Sequence, residues 1–138
     1  MKGYENETRE LIEFAKTVLE LVNAEREKEG LTALESSELL HAVATIRATE
    51  LAERFSHQRP DGLAWYTVLD EFAVPYDDAD ENIGNLYASP GQAVEDWMNT
   101  PKFRENIMNP KFNMVGVGLH LHNNGTVCGV LLFIEHRN

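Results

Sequence analysis

Hydrophobic residues recur along this chain in two rhythms, first at helical spacing and then in strict alternation. Leu11, Phe14, Ala15, Val18, Leu19 and Val22 follow one another at three- and four-residue steps. That spacing predicts a long amphipathic helix from Glu7 to Glu29, with Gly30 suited to its C-terminal cap. A second helix is predicted after Ser36 as its cap, carrying Leu39, Leu40, Val43, Ile46 and Leu51 towards a core and ending before Phe55. Pro60-Asp61-Gly62 marks a turn, and Leu63, Trp65, Tyr66, Leu69 and Phe72 predict a shorter third helix that stops before Pro75. The acidic run Asp77-Asp78-Ala79-Asp80-Glu81 reads as a loop.

Two cap-plus-proline signals follow. Ser89-Pro90-Gly91-Gln92 reads as a capping box, with Ser89 accepting from a backbone amide and Gln92 reaching back, so a helix through Trp97 and Met98 is predicted. Thr100-Pro101 repeats the device for a short helix that Asn109-Pro110 ends. The period then falls to two. Val115, Val117, Leu119 and Leu121 alternate with Gly116, Gly118 and His120, and Asn124-Gly125 supplies a hairpin turn into a strand from Thr126 to Ile134. Helices followed by an antiparallel hairpin predict an α+β fold.

Length and charge narrow the picture. At 138 residues and 43% hydrophobic content the chain suits one domain, residues 1–138. Twelve basic against 23 acidic residues give a formal net charge of -11, so a phosphate backbone or anionic membrane is repelled and nucleic acid is not an expected partner. No apolar run approaches the roughly 20 residues that span a bilayer, and the start Met1-Lys2-Gly3-Tyr4-Glu5 lacks the apolar stretch of a secretory signal. With the single Cys128 there is no intramolecular disulfide, and stability must come from packing. Cys128 lies in an apolar strand and reads as a small core residue rather than a nucleophile.

An ordered set of short motifs carries more than any of its parts: Asn23 with Arg26, Phe55-Ser56-His57, Glu81-Asn82-Ile83, Trp97, and Arg104-x-Asn106-Ile107. Together they resemble the CAP superfamily of cysteine-rich secretory proteins, antigen 5 and plant pathogenesis-related proteins, most closely its bacterial single-domain members. The resemblance is strongest from Leu21 to Ile134. It implies a three-layer α-β-α sandwich around a central antiparallel sheet, and an extracellular or cell-envelope location.

In animal and plant members two His and two Glu converge on a central cleft that can hold a divalent metal. By that resemblance His57 matches the first His and Glu81 the first Glu, while Thr100 and Phe103 stand at the positions of the second Glu and second His. Asp80 replaces the usual Gly before Glu-Asn, altering the turn or adding a carboxylate at the rim. His57 is either a metal or proton-transfer group or a cleft histidine bonded to Glu81; Glu81 either fixes its tautomer or satisfies loop amides. Thr100 reads as a helix cap and Phe103 cannot coordinate. Two ligands are too few for a tight zinc site, so no cofactor is expected and any zinc binding through His57 and Glu81 should be weak. His41, His120, His122 and His136 lack ligand spacing to His57, and His120 and His122 are expected to face solvent on one side of a strand. Glu95 is expected to point into water.

The resemblance therefore implies a CAP-type binding or interaction protein with a degenerate cleft rather than an enzyme. Its partner would be a small molecule, lipid or protein, with an apolar or amphipathic ligand favoured by Phe103. The alternative is a peptidase-like hydrolase using His57 and Glu81, or a metal-dependent cleft activity.

Overall fold

The computed structural model describes the backbone of residues 2–136 and the side chains of residues 8–136. In chain order the elements are α1 (Lys2–Lys28), α2 (Glu38–Glu53), α3 (Thr67–Glu71), β1 (Asp78–Tyr87), α4 (Pro90–Met98), α5 (Pro101–Ile107), β2 (Met114–Leu121) and β3 (Val127–Glu135). The strands form one antiparallel sheet in the order β1-β3-β2. The predicted hairpin is present, its register running from Met114 opposite Ile134 to Leu121 opposite Val127.

The middle strand β3 is buried on both faces, and its alternation divides the core in two. Val127, Leu131 and Phe133 pack with Val18 and Val22 of α1, Val94 and Trp97 of α4, and Val115, Val117 and Leu119 of β2. Cys128, Val130, Leu132 and Ile134 face the other way, against Leu40, Val43, Ala44 and Leu51 of α2 and Val68 and Leu69 of α3. Helices on both faces of the sheet make the three-layer α-β-α sandwich. The Cys128 thiol is fully buried, and burial pushes its pKa up to about 11, so it stays protonated and inert near neutrality.

Glycines let α2 lie directly on β2. A Cβ on Gly118 would stand 1.9 Å from the Ala44 carbonyl oxygen, and one on Gly116 2.4 Å from that of Leu40. Side chains in those places would push the helix off the sheet.

Several boundaries differ from the sequence expectation, each for a local reason. Helix α1 ends at Lys28, and Gly30 at φ +73° closes it with a Schellman pair: its amide donates to Glu27 and that of Leu31 to Arg26. The cap of α2 is Ser37, not Ser36, because the Ser37 hydroxyl reaches the Leu40 amide at 3.1 Å. The third helix is only Thr67–Glu71; Leu63 and Trp65 lie in the preceding loop, whose backbone bonds to Arg59 and His57 instead. The acidic run expected as a loop is the start of β1: Asp78, Ala79, Asp80 and Glu81 pair with Glu135, Ile134, Phe133 and Leu132. Four backbone pairings outweigh the poor strand propensity of aspartate on an edge strand whose Asp78 stays exposed. Asp80 thus makes no turn; its Oδ1 accepts from the Glu81 amide.

Both cap-plus-proline signals start helices, with different chemistry. Ser89 accepts from the Gln92 amide, and Gln92 Oε1 reaches back to the Ala88 amide at 2.6 Å. Thr100 stands at the N-cap of α5 without a side-chain cap bond. Its hydroxyl donates instead to the Asp96 carbonyl at 2.9 Å, since α4 ends only two residues earlier. Glu95 is exposed as expected, and His120 and His122 are partly exposed at the end of β2. Their rings meet edge to face at 5.5 Å, and His122 Nε2 lies 2.7 Å from Asn85 Oδ1.

Candidate functional site

Most of the motif residues are structural pins. Asn23 brackets Leu34, accepting from its amide at 2.8 Å and donating to its carbonyl at 3.1 Å. Arg26 is buried with no carboxylate partner among the described residues; its guanidinium donates to the carbonyls of Thr32, Ile107, Asn109 and Phe112, tying α1 to the segment after α5. Burial lowers its pKa. Trp97 Nε1 donates to the Ile83 carbonyl, and its ring meets Tyr87 edge to face at 5.5 Å. Tyr87 in turn donates to Asp96, and burial followed by that bond raises the phenol.

The triplet Glu81-Asn82-Ile83 works through the alternation of a strand. Glu81 lies opposite Leu132 and Asn82 opposite Leu131, so the two side chains leave β1 on opposite faces. Asn82 faces α5, donating to the Phe103 carbonyl and accepting from Asn106 Nδ2 at 2.9 Å. Glu81 faces α2. Asn82 and Asn106 thereby hold Phe103 at the edge of β1, while Glu81 looks toward His57 around the same edge.

His57 and Glu81, 24 residues apart, are joined by a 2.9 Å contact from Nδ1 to Oε1. The Phe103 ring stands edge to face with the imidazole at a centroid distance of 6.5 Å. Three of the four expected cleft residues thus come together. The Thr100 hydroxyl bonds the Asp96 carbonyl of α4 rather than any of the three.

A fourth member was not foreseen. Arg47 of α2 is fully buried and bonds Glu81 twice, Nε to Oε2 at 2.7 Å and a terminal nitrogen to Oε1 at 2.9 Å. The same terminal nitrogen donates to the Ser56 carbonyl, one residue before His57, and the other to Glu50. Burial alone would lower the Arg47 guanidinium, but bonding and attraction to Glu81 and then Glu50 leave it raised. The signal was present in the sequence. Arg47 occupies a place in the apolar stripe Leu40, Val43, Ala44, Ala48, Leu51, where a charge has to find a buried partner.

This pairing determines the chemistry of the imidazole. Both Glu81 oxygens accept from Arg47, so the carboxylate offers His57 only lone pairs, and Nδ1 is the donor. In the neutral ring the acceptor lone pair is then on Nε2. The His57 side chain is 46% exposed while that of Glu81 is fully buried. The arrangement presents an oriented hydrogen-bond acceptor beside an aromatic edge.

Donor atoms for a metal are few here. Glu81 has no oxygen free of hydrogen bonds, Phe103 has no donor atom, and among the described residues no three His, Cys, Asp or Glu come together as a ligand set.

The comparisons with known proteins follow the same outline. A family model described as the cysteine-rich secretory protein family matches residues 19–134. The uncharacterized protein YkwD of Bacillus subtilis (strain 168) is 36% identical over 107 residues, covering 76% of this chain and 42% of that protein. YlbC of the same organism, described as an uncharacterized membrane protein, is 32% identical over 106 residues, covering 75% and 31%. The chain therefore spans less than half the length of these curated relatives.

Among solved structures, an extracellular protein containing an SCP domain from Bacillus anthracis superposes with a TM-score of 0.78 at 24% identity, covering 87% of this chain and 39% of the other. An outer surface protein from Borrelia burgdorferi gives 0.81 at 20% identity, covering 91% and 94%. These likenesses are of fold. The match of the family model over most of the chain, with the identity to YkwD, places the chain in the CAP, or cysteine-rich secretory protein, family.

Proposed function

We propose that this CAP domain binds an apolar or amphipathic ligand carrying a hydrogen-bond donor, at the cleft formed by His57 and Phe103, without a resident metal. The observation that carries the reading is the engagement of both Glu81 oxygens by Arg47 and His57, which leaves Nε2 of the half-exposed imidazole as the open polar atom of the pair, beside Phe103. A ligand hydroxyl or amide would donate to Nε2 while its apolar part lies against Phe103. The acidic surface, at a formal net of -11, disfavours anionic ligands.

A titration with a series of neutral alcohols from cyclohexanol to cholesterol, followed by the His57 and Phe103 resonances, tests this. Perturbations confined to the two residues are expected, with affinity reduced about tenfold in His57→Ala, the worth of one hydrogen bond. Affinity unchanged in both His57→Ala and Phe103→Ala would remove the cleft from consideration.

Zinc at neutral pH is expected to bind weakly, and Phe103→His to strengthen it by adding a second nitrogen ligand close to His57. Calorimetry on both proteins reads this directly. Tight binding by the natural sequence, abolished in His57→Ala, would restore the metal-dependent alternative.

The Glu81–His57 pair also supports a hydrolase reading, in which Nε2 accepts a proton from an attacking group. It ranks second. Among the described residues no hydroxyl or thiol is bonded to His57, Cys128 is buried, and the carboxylate that would stabilise an imidazolium already shares its charge with Arg47. No helix among the described residues is long and apolar enough to cross a membrane, and the extracellular and outer-surface neighbours support a place outside the cytoplasm.

A further inference from the structure

His57 stands just beyond α2, in a loop that returns to α3, and being half-exposed it owes its position to bonds more than to packing. Trp65 donates its amide to the His57 carbonyl, and Arg59 its amide to the Leu63 carbonyl. Two arginines that bracket His57 in sequence anchor the loop. Arg47 grips the Ser56 carbonyl before it, and Arg59 lies two residues after it.

One side chain joins these arginines. Glu50 Oε1 accepts from Arg47 at 3.1 Å and from Arg59 Nε at 3.1 Å; its Oε2 accepts from Arg59 at 3.0 and 2.7 Å. Arg59 continues to Thr67 and Glu71 of α3. The charges alternate along Glu81, Arg47, Glu50, Arg59 and Glu71. Bonding to Glu50 is the leading cause raising the Arg59 guanidinium, ahead of the opposing burial.

We propose that Glu50, which bonds Arg47 but neither His57 nor Phe103, is a positioning residue for His57. By holding Arg47 and Arg59 at fixed separation it fixes the loop that carries the imidazole, and so the Nδ1 bond to Glu81 and the distance to Phe103. Glu50→Gln replaces one acceptor oxygen by an NH2 that faces guanidinium donors, which breaks the link without changing shape. The proposal deepens the reading of His57 as a binding group, but its geometric content can be read without any ligand.

Nitrogen-15 NMR of the imidazole, at a pH where the ring is neutral, distinguishes Nδ1-H from Nε2-H. The natural protein is expected to hold the Nδ1-H form. In Glu50→Gln the ratio of Nδ1-H to Nε2-H should fall about tenfold, on the scale of one charge-assisted hydrogen bond, and the through-space signal between the His57 and Phe103 rings should weaken. Glu50→Asp, which keeps the charge on a shorter arm, should fall between and carries the test if Glu50→Gln does not fold. Glu71→Gln, which removes the exposed partner of Arg59, should leave the tautomers unchanged.

A folded Glu50 variant with lowered thermal stability but natural tautomer ratio and ring contact would reduce Glu50 to a stabilising residue and overturn the proposal. So would a natural protein without a dominant Nδ1-H form. Shifted tautomers with no response of the natural protein to the alcohol series would uphold the positioning role and sink the binding reading. Unchanged tautomers with an intact response would do the reverse.

Discussion

Arg47→Ala is expected to destabilise the domain by about 3–5 kcal/mol, because it strips the counter-charge from a carboxylate that has no access to water. Glu81 is fully buried, and two of the three hydrogen bonds to its carboxylate come from Arg47. The imidazole cannot replace a bidentate guanidinium, and the vacated volume lies in the middle of the apolar stripe of α2. The loss is a large part of the roughly 5–15 kcal/mol that keeps an ordinary domain folded. Replacing both partners, as Arg47→Met with Glu81→Leu, should recover most of it, since an apolar pair of similar volume pays no desolvation penalty. Denaturant unfolding of the two single variants and the double gives the coupling. A cost below about 1 kcal/mol for Arg47→Ala would place the pair among weakly coupled surface bridges and contradict its burial.

Gly118→Ala should be nearly as damaging, by about 3 kcal/mol, although it adds one methyl group. The new Cβ would meet the Ala44 carbonyl oxygen at 1.9 Å, its carbon at 2.2 Å and the Thr45 nitrogen at 2.7 Å. All three are backbone atoms of α2, so no rotamer change relieves the contact and the helix itself must lift. Lifting α2 also draws Arg47 away from Glu81, so the His57 resonances should shift together with the loss of stability. Gly91→Ala is the matched control. It sits in the first turn of α4 with nothing nearer than Ser89 Oγ at 4.0 Å, and should be neutral or stabilising by up to about 1 kcal/mol. Equal effects at the two positions would show that close helix–sheet contact is not what Gly118 provides.

The sequence makes the helices and hairpin legible where a single rhythm runs long enough, as in Leu11 to Val22 and Val115 to Leu121. It misleads where pairing overrides local preference. The aspartates before Glu81 read as loop because nothing local reveals that β3 will supply backbone partners. His57, Glu81 and Phe103 are found by motif order, but their chemistry depends on Arg47, which belongs to no motif and shows in the sequence only as a charge within the apolar stripe of α2. Thr100 shows the opposite failure. It has the right residue type for a cap, yet the close end of α4 offers its hydroxyl a better partner.

The strand order carries a consequence for how the chain reaches this state. Neither β1 nor β2 pairs with the other; each is hydrogen-bonded to β3, which is the last of the three to be synthesised. As the polypeptide emerges, helices can form and collapse, but no part of the sheet can close until the segment from Val127 to Glu135 has appeared and inserted between two waiting edges. Contacts of high sequence separation, β1 with β3 above all, are then made together at the end, which makes sheet assembly a late and cooperative step. Until that moment neither apolar cluster has β3 to pack against.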